Sequence, residues 1–208
     1  MTNRIIELYN KYYTYRKFER EEVFSVLREK YGIKNTLYPG SYVHITPSFI
    51  FPTTVYVDCD KGAKFFFNDM KIVKEIIESR KKYSQESNIE FLGKSYNAPL
   101  SLEEESFDLL ISHYAGIISQ PCKKYLKTGG LLLVNNSHAD AGVASFDTDF
   151  KLIGTINIHR KKLISEENLE TFFIPKKKQN VTMETLISTQ KGIRYLKTAD
   201  LYIFKKTK

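Results

Sequence analysis

Four polar side chains in two short stretches could do chemistry: His113 and Tyr114, then Asn136 and His138 within Asn135-Asn136-Ser137-His138-Ala139-Asp140. An imidazole ordinarily titrates near neutrality, so either histidine could take a proton from a nucleophile. The phenol and the amide could hold a reacting group in place by hydrogen bonding. A second set is acidic. Asp58 and Asp60 close the run VYVDCD (Val55–Asp60), and a carboxylate there could accept two hydrogen bonds from a vicinal diol. A third is the turn in TLYPGS (Thr36–Ser41), where Gly40 would allow an unusual φ and a close backbone approach. The plainer alternative is that Asp58 and Asp60 cap the helix beginning near Ala63, and that His44, His113 and His138 are ordinary loop or capping residues. No HExxH, P-loop lysine motif, G-x-S-x-G elbow or cysteine-rich spacing occurs, so no metal site is expected.

These residues need elements to position them. Residues 3–18 and 20–31 read as two helices; in the second, Val23, Val26, Leu27 and Tyr31 share a face and Gly32 is a natural stop. Strands are expected at Thr36–Tyr38, Val55–Val57, Ile89–Leu92, Leu109–Ile111 and Leu131–Val134. Near-continuous apolar runs of this kind suit strands covered on both faces. A helix is expected from about Ala63 to Arg80, with Phe66, Met70, Val73 and Ile77 on one buried face. LKTGGLLLV (Leu126–Val134) reads as a helix end, a Gly-Gly turn and a strand. After residue 150 the alternation is lost. Lys151–Ile158 and Leu201–Phe204 read as strands, giving a late antiparallel hairpin at the sheet edge. Pro47 and Pro52 limit any helix between the first two strands. The whole implies an open α/β sheet whose strand ends carry a nucleotide-type cofactor.

Composition narrows the class. The chain has 208 residues and 42% apolar content, enough for a buried core. No apolar run approaches the ~20 residues that span a bilayer, so no membrane partner is expected. The N-terminus is broken by charge and lacks a secretory h-region. Cys59 and Cys122 make no metal-like or redox-like pair, so free thiols in a reducing cytoplasm are expected. The net charge of +8 is uneven: residues 160–208 hold twelve Lys/Arg against five Asp/Glu, while residues 35–159 hold twelve against fourteen. A basic segment can attract phosphate backbones or acidic lipid. Arg160-Lys161-Lys162 and Lys176-Lys177-Lys178 are the candidates for nucleic acid, with a lysine-rich solvated surface as the plainer alternative. Tyr12, Tyr13 and Tyr15 could stack on bases, but Tyr9, Tyr12, Tyr13 and Arg16 at helical spacing more often pack a helix face.

The order of pieces from residue 35 to 208 resembles a class I S-adenosylmethionine-dependent methyltransferase, with residues 1–34 as an N-terminal helical cover. TLYPGS takes the place of the first strand and glycine-rich loop. VYVDCD matches the second strand and its acid, and IEFLGKSYNAPL (Ile89–Leu100) the third strand and adenine loop. SFDLLIS (Ser106–Ser112) and YLKTGGLLLV (Tyr125–Val134) match the fourth and fifth strands. The resemblance implies a doubly wound, mostly parallel Rossmann-like sheet with an antiparallel edge hairpin. It implies S-adenosyl-L-methionine as cofactor, bound by Tyr38, Gly40 and Ser41, by Asp58 and Asp60, and by Ser95 and Tyr96. It places an unidentified methyl acceptor at His113, Tyr114, Asn136 and His138. The chain departs from the family in having one glycine in its first loop, Tyr38 where the family has an acid, and Lys94-Ser95-Tyr96-Asn97 where the adenine loop has one. A non-catalytic binding or scaffold module of the same fold is the alternative.

Overall fold

β-Branched and aromatic residues in NTLYP, TTVYV and NIEFL favour extended backbone on a pleated, buried surface. In the computed structural model, which describes residues 2–158, 163–177 and 181–208, they form β1 (Asn35–Pro39), β2 (Thr53–Val57) and β3 (Asn88–Leu92). The last four residues of β1 and of β2 are buried. All eight strands follow the order β3-β2-β1-β4-β5-β8-β6-β7. This is a mixed α/β, mostly parallel, Rossmann-like sheet with antiparallel strands toward one edge. The chain divides into two units, Met1–Leu100 and Ser101–Lys208.

In the first unit, β1 pairs with β2 and β2 with β3, both in parallel, with Leu37 opposite Val55 and Val55 opposite Glu90. Helix α1 (Thr2–Tyr9) runs into a π-type turn, Asn10–Thr14, and α2 spans Glu21–Tyr31. The first helix is therefore shorter than the sequence suggests. Helix α2 ends as expected at Gly32, whose φ of +66° lets its N–H close on the Arg28 carbonyl at 2.9 Å. Pro47 opens the single turn α3 (Pro47–Ile50). The expected helix from Ala63 to Arg80 is two, α4 (Lys61–Phe67) and α5 (Met70–Arg80). Asp69 breaks it by capping α5, its carboxylate accepting the Ile72 N–H at 3.3 Å. Phe66, Val73 and Ile77 are buried as their spacing predicts.

Glu19 ties this unit together. It accepts hydrogen bonds from the Tyr9 hydroxyl and from Arg80, each at 2.6 Å. Tyr9 also shares a hydrogen bond with buried Thr46 at 2.9 Å, and Arg80 lies over the Phe49 ring at 4.3 Å. Burial works to raise the Glu19 carboxyl, but the bonds from Arg80 and Tyr9 outweigh it and hold the group below the usual range. The N-terminal helices are thus fastened to the unit by a polar hub as well as by Ile5 and Leu27 in its core.

In the second unit, β4 (Phe107–Ser112) and β5 (Leu126–Val134) are parallel, and β8 (Leu201–Lys206) pairs antiparallel with β5 and with β6 (Phe150–Ile156). The final strand inserts between β5 and β6 rather than extending the edge, and the antiparallel pair at the edge is β6 with the two-residue β7 (Ile164–Ser165). The Gly-Gly pair is an irregularity inside β5, since pairing begins at Leu126 and resumes at Leu131 after a register shift. Gly129 has φ +86°, and a Cβ on Gly130 would meet the Lys127 carbonyl oxygen at 2.9 Å. Helices α6 (Ser119–Cys122), α7 (Asp140–Phe146) and α8 (Met183–Thr189) complete the unit. Ile117, Ala139, Val143 and Leu186 form a small apolar cluster. No helix among the described residues is long and apolar enough to cross a membrane.

Replacing Tyr9 by Phe keeps the ring and removes the hydroxyl shared by Glu19 and Thr46. Stability should fall by about 1–3 kcal/mol, the cost of leaving buried polar atoms unmet. Urea unfolding of the two proteins measures it; equal midpoints would remove Tyr9 from the hub.

Candidate functional site

The residues after β1 and β2 form one interlocked pair of loops. Gly40 takes φ +64° and donates its N–H to the Val57 carbonyl at 2.7 Å, so the first loop turns back toward the end of β2. Asp58 then joins the two loops. Its Oδ2 accepts the Tyr42 N–H at 2.7 Å and its Oδ1 accepts the Asp60 N–H at 2.8 Å. Each carboxylate oxygen retains a second acceptor direction, and Asp58 is only partly buried. Asp60 has a different job as N-cap of α4, accepting from Gly62 N–H at 2.6 Å and Ala63 N–H at 3.3 Å.

Tyr42, which the sequence did not single out, has φ +48° and lays its ring over α4. A Cβ on Gly62 would lie 2.8 Å from its hydroxyl oxygen. Tyr12 packs edge-on against Tyr42, with ring centroids 5.1 Å apart. A cleft of ≈410 Å³ opens beside this loop, with Arg4, Glu7, Lys11, Lys61 and Phe65 around it. Ser41 is buried and its carbonyl accepts the His44 N–H at 3.0 Å. Ser95 and Tyr96 lie in the turn after β3, both partly buried, where Ser95 Oγ accepts the Asn97 N–H at 3.3 Å.

Tyr38 and His44 belong to the interior. His44 is 1% exposed and stacks on Tyr13, centroids 4.3 Å apart. Its Nε2 faces the Glu19 carbonyl at 3.1 Å and its Nδ1 the Tyr38 hydroxyl at 3.0 Å. A carbonyl can only accept, so Nε2 carries the proton and Nδ1 accepts from Tyr38. Burial pushes the His44 pKa down to about 3, although its bond to the Glu19 carbonyl favours the charged form. His44 is therefore a neutral core histidine, neither a chemical group nor the ordinary loop or capping residue expected, and Tyr13 is a packing residue.

In the second unit the loops after β4 and β5 are held by Asp140 and Asn135. Asp140 is 1% exposed. It accepts from the hydroxyls of Ser112 and Ser119, each at 2.5 Å, and from the amides of Ile118 and Ser119, the latter at 3.1 and 3.2 Å to its two oxygens. Burial raises its pKa against those bonds. Asn135 donates its N–H to the Ser112 carbonyl at 3.2 Å, and its Oδ1 accepts from Ser137 Oγ at 2.9 Å, Ser137 N–H at 3.3 Å and Tyr114 N–H at 3.4 Å. Its Nδ2 is buried with no hydrogen-bond partner among the described residues. The sequence placed Asn135 and Asp140 in a polar run without assigning their roles, because their partners lie 21–28 positions away.

These anchors bring the four candidates after β4 and β5 onto one pair of loops. His113 is buried and Tyr114 is 49% exposed with φ +58°. Asn136 Oδ1 accepts the Gly142 N–H at 2.9 Å, and His138 is partly buried just before Ala139 at φ +67°. Positive φ at a tyrosine and an alanine is uncommon and marks a backbone held in place by its surroundings. Cys59 is exposed and Cys122 buried, and neither is in a disulfide. No His/Cys/Asp/Glu group among the described residues could hold a metal ion. Arg160-Lys161-Lys162 and Lys178 lie outside the described residues.

No family model and no curated protein matches the sequence. Similar solved structures include a proposed S-adenosyl-L-methionine-dependent methyltransferase from Methanococcus maripaludis, 14% identical, covering 64% of this chain and 61% of that one at a TM-score of 0.45. A methyltransferase from Geobacter sulfurreducens is 11% identical over 73% and 82%, with a TM-score of 0.45. Geranyl diphosphate methyltransferase in complex with SAM is 11% identical over 55% and 48%, with a TM-score of 0.39. This chain thus spans about three fifths of the length of the Methanococcus protein.

The buried neutral His44 gives a pH prediction. An unfolded histidine titrates near 6.5, so between pH 6.5 and about 3 the unfolded chain binds a proton that the folded one does not. The contribution is fully present above pH 6.5 and is lost as pH falls, by up to about 1.4 kcal/mol per pH unit. Glu19, whose folded pKa is lowered, adds to the loss only below the ordinary carboxylate range. Unfolding free energies of wild type and His44→Gln between pH 7 and 4.5 should show a slope in wild type that the variant lacks. Parallel curves would contradict the assignment.

Proposed function

We propose that this protein binds S-adenosyl-L-methionine on the loops after β1, β2 and β3 and transfers its methyl group to an acceptor. The observation that carries the reading is Asp58. It stands at the carboxyl end of β2, joined to the glycine turn after β1, with both oxygens fixed by backbone amides and each able to accept once more. In an open α/β sheet this edge is where a ligand binds, and a pinned carboxylate fits a ribose diol without the entropy cost of immobilising it. Gly40 lets the first loop stay close to the end of β2, and Ser41, Ser95 and Tyr96 are the remaining candidate contacts. Tyr38 acts by fixing the loop through His44, and Asp60 by capping α4.

Bound there, the cofactor supplies an electrophilic methyl on a sulfonium. The protein's part is mainly to position the acceptor, since methyl transfer is an in-line displacement sensitive to distance and angle. Asn135 offers an unused buried Nδ2–H, and a hydroxyl or carbonyl of the acceptor fits that donor. His113 and His138 are the candidate proton acceptors, with Tyr114 and Asn136 as orienting groups. Residues 1–34 serve as a cover that meets the first loop through Tyr12 and Tyr42. A non-catalytic module is the second reading, and the tyrosine ring laid over α4 beside a loop with one glycine favours it.

Calorimetric titration separates the two. The first reading expects S-adenosylmethionine and S-adenosylhomocysteine to bind, and Asp58→Asn to weaken both by about 1–3 kcal/mol through loss of a charged acceptor. Asp60→Ala should instead lower thermal stability by about 0.5–2 kcal/mol through loss of the α4 cap. No heat from either ligand, or unchanged affinity in a folded Asp58→Asn protein, would reject the proposed cofactor site.

A further inference from the structure

Two segments of the second unit that lie outside the regular strands meet as a short antiparallel ribbon. Lys176 donates its N–H to the Arg194 carbonyl and Leu196 donates to the Ile174 carbonyl, each at 2.8 Å, about a bridge between Pro175 and Tyr195. This register sets Lys176 directly opposite Arg194 and Ile174 directly opposite Leu196. Tyr195, on the alternate face, is 4% exposed, whereas Ile174 and Leu196 are 44% and 59% exposed. The outer face of the ribbon therefore carries one cation pair and one aliphatic pair.

Like charges directly opposite each other destabilise a strand pair, because their Cβ atoms stand only about 5 Å apart. Here the pair is extended by Lys177, and all three cations line one cleft of ≈340 Å³ with Ile193. None of the three has a side-chain hydrogen bond or ion pair among the described residues. Three other cations of the unit are neutralised: Lys123 by Asp147 and Asp149, Lys127 by Asp108, and Lys206 by Glu105. The ribbon also lies against the loop after β5. A Cβ on Gly192 would lie 2.7 Å from the Asn136 carbonyl oxygen.

We infer that this ribbon is a contact surface for the phosphodiester backbone of a single-stranded nucleic acid. Lys176 and Arg194 are close enough to share one phosphate and Lys177 is placed for a neighbouring one. The exposed Ile174–Leu196 pair offers an apolar surface for a sugar or base. Such binding follows charge and is sensitive to salt. The inference is independent of methyl transfer, since it requires neither cofactor nor turnover.

Fluorescence anisotropy with a labelled twelve-nucleotide oligouridylate and the full chain tests it. With about two phosphates neutralised on a single strand, raising salt from 50 to 200 mM should weaken binding by roughly sevenfold. The triple variant Lys176→Ala, Lys177→Ala, Arg194→Ala should bind at least tenfold more weakly at low salt and with a shallower salt slope. A second triple variant, Lys71→Ala, Lys74→Ala, Lys151→Ala, removes the same charge from exposed positions elsewhere and should bind as wild type. Equal losses in the two variants would overturn the inference by showing that net charge alone is responsible. So would no binding of the oligonucleotide, or preferential binding of vesicles containing phosphatidylserine. Competition by millimolar inorganic phosphate as effective as by unlabelled oligonucleotide would overturn it too.

Discussion

Where a parallel strand ends, its last amides and those of the following turn lose their ladder partners, and in a buried setting they must find others. In each unit a carboxylate meets that constraint. Asp58 collects the Tyr42 and Asp60 amides at the end of β2. Asp140 collects the Ile118 and Ser119 amides and the hydroxyls of Ser112, at the end of β4, and Ser119. Removing either acid would leave several donors unmet at once, so the loops depend on them. The two differ in what they leave over. Asp140 is enclosed and fully engaged and acts as an anchor, whereas Asp58 is partly exposed and keeps acceptor capacity toward its surroundings.

The same constraint explains why the backbone is strained where function is proposed. Tyr42, Tyr114 and Ala139 all take positive φ, a conformation that costs a non-glycine residue free energy and persists only where its neighbours fix it. Tyr42 is fixed by Asp58, Tyr114 by the Asn135 side chain, and Ala139 by its place between the Asn136 carbonyl and the buried start of α7. The N-terminal helices add a second level of support through Glu19, Tyr13 and the neutral His44.

Much of this was legible in the sequence, and what was missed has a common cause. The apolar runs at Val55–Val57 and Leu131–Val134 specified their strands because burial on both faces leaves little choice of residue. Gly32 announced the end of α2. The break at Asp69 was hidden because Phe66, Val73 and Ile77 keep helical spacing across it. The Gly-Gly pair looked like a turn because a bulge depends on the partner strand, which local sequence does not show. The insertion of β8 between β5 and β6 was likewise invisible, being a matter of long-range pairing. Of the site, the position of Asp58 was legible, but the interior role of His44 and the anchoring by Asp140 were not. Both rest on partners more than twenty residues distant.

If Asp58 holds the ribose of an adenosyl cofactor, a crystal structure of the full chain grown with S-adenosylhomocysteine will show the two ribose hydroxyls on Asp58 Oδ1 and Oδ2, with the amides of Tyr42 and Asp60 still in place on the opposite side of the carboxylate. A ligand bound elsewhere, or a Tyr42 ring still lying over α4 with no ligand against Asp58 at saturating concentration, would contradict it.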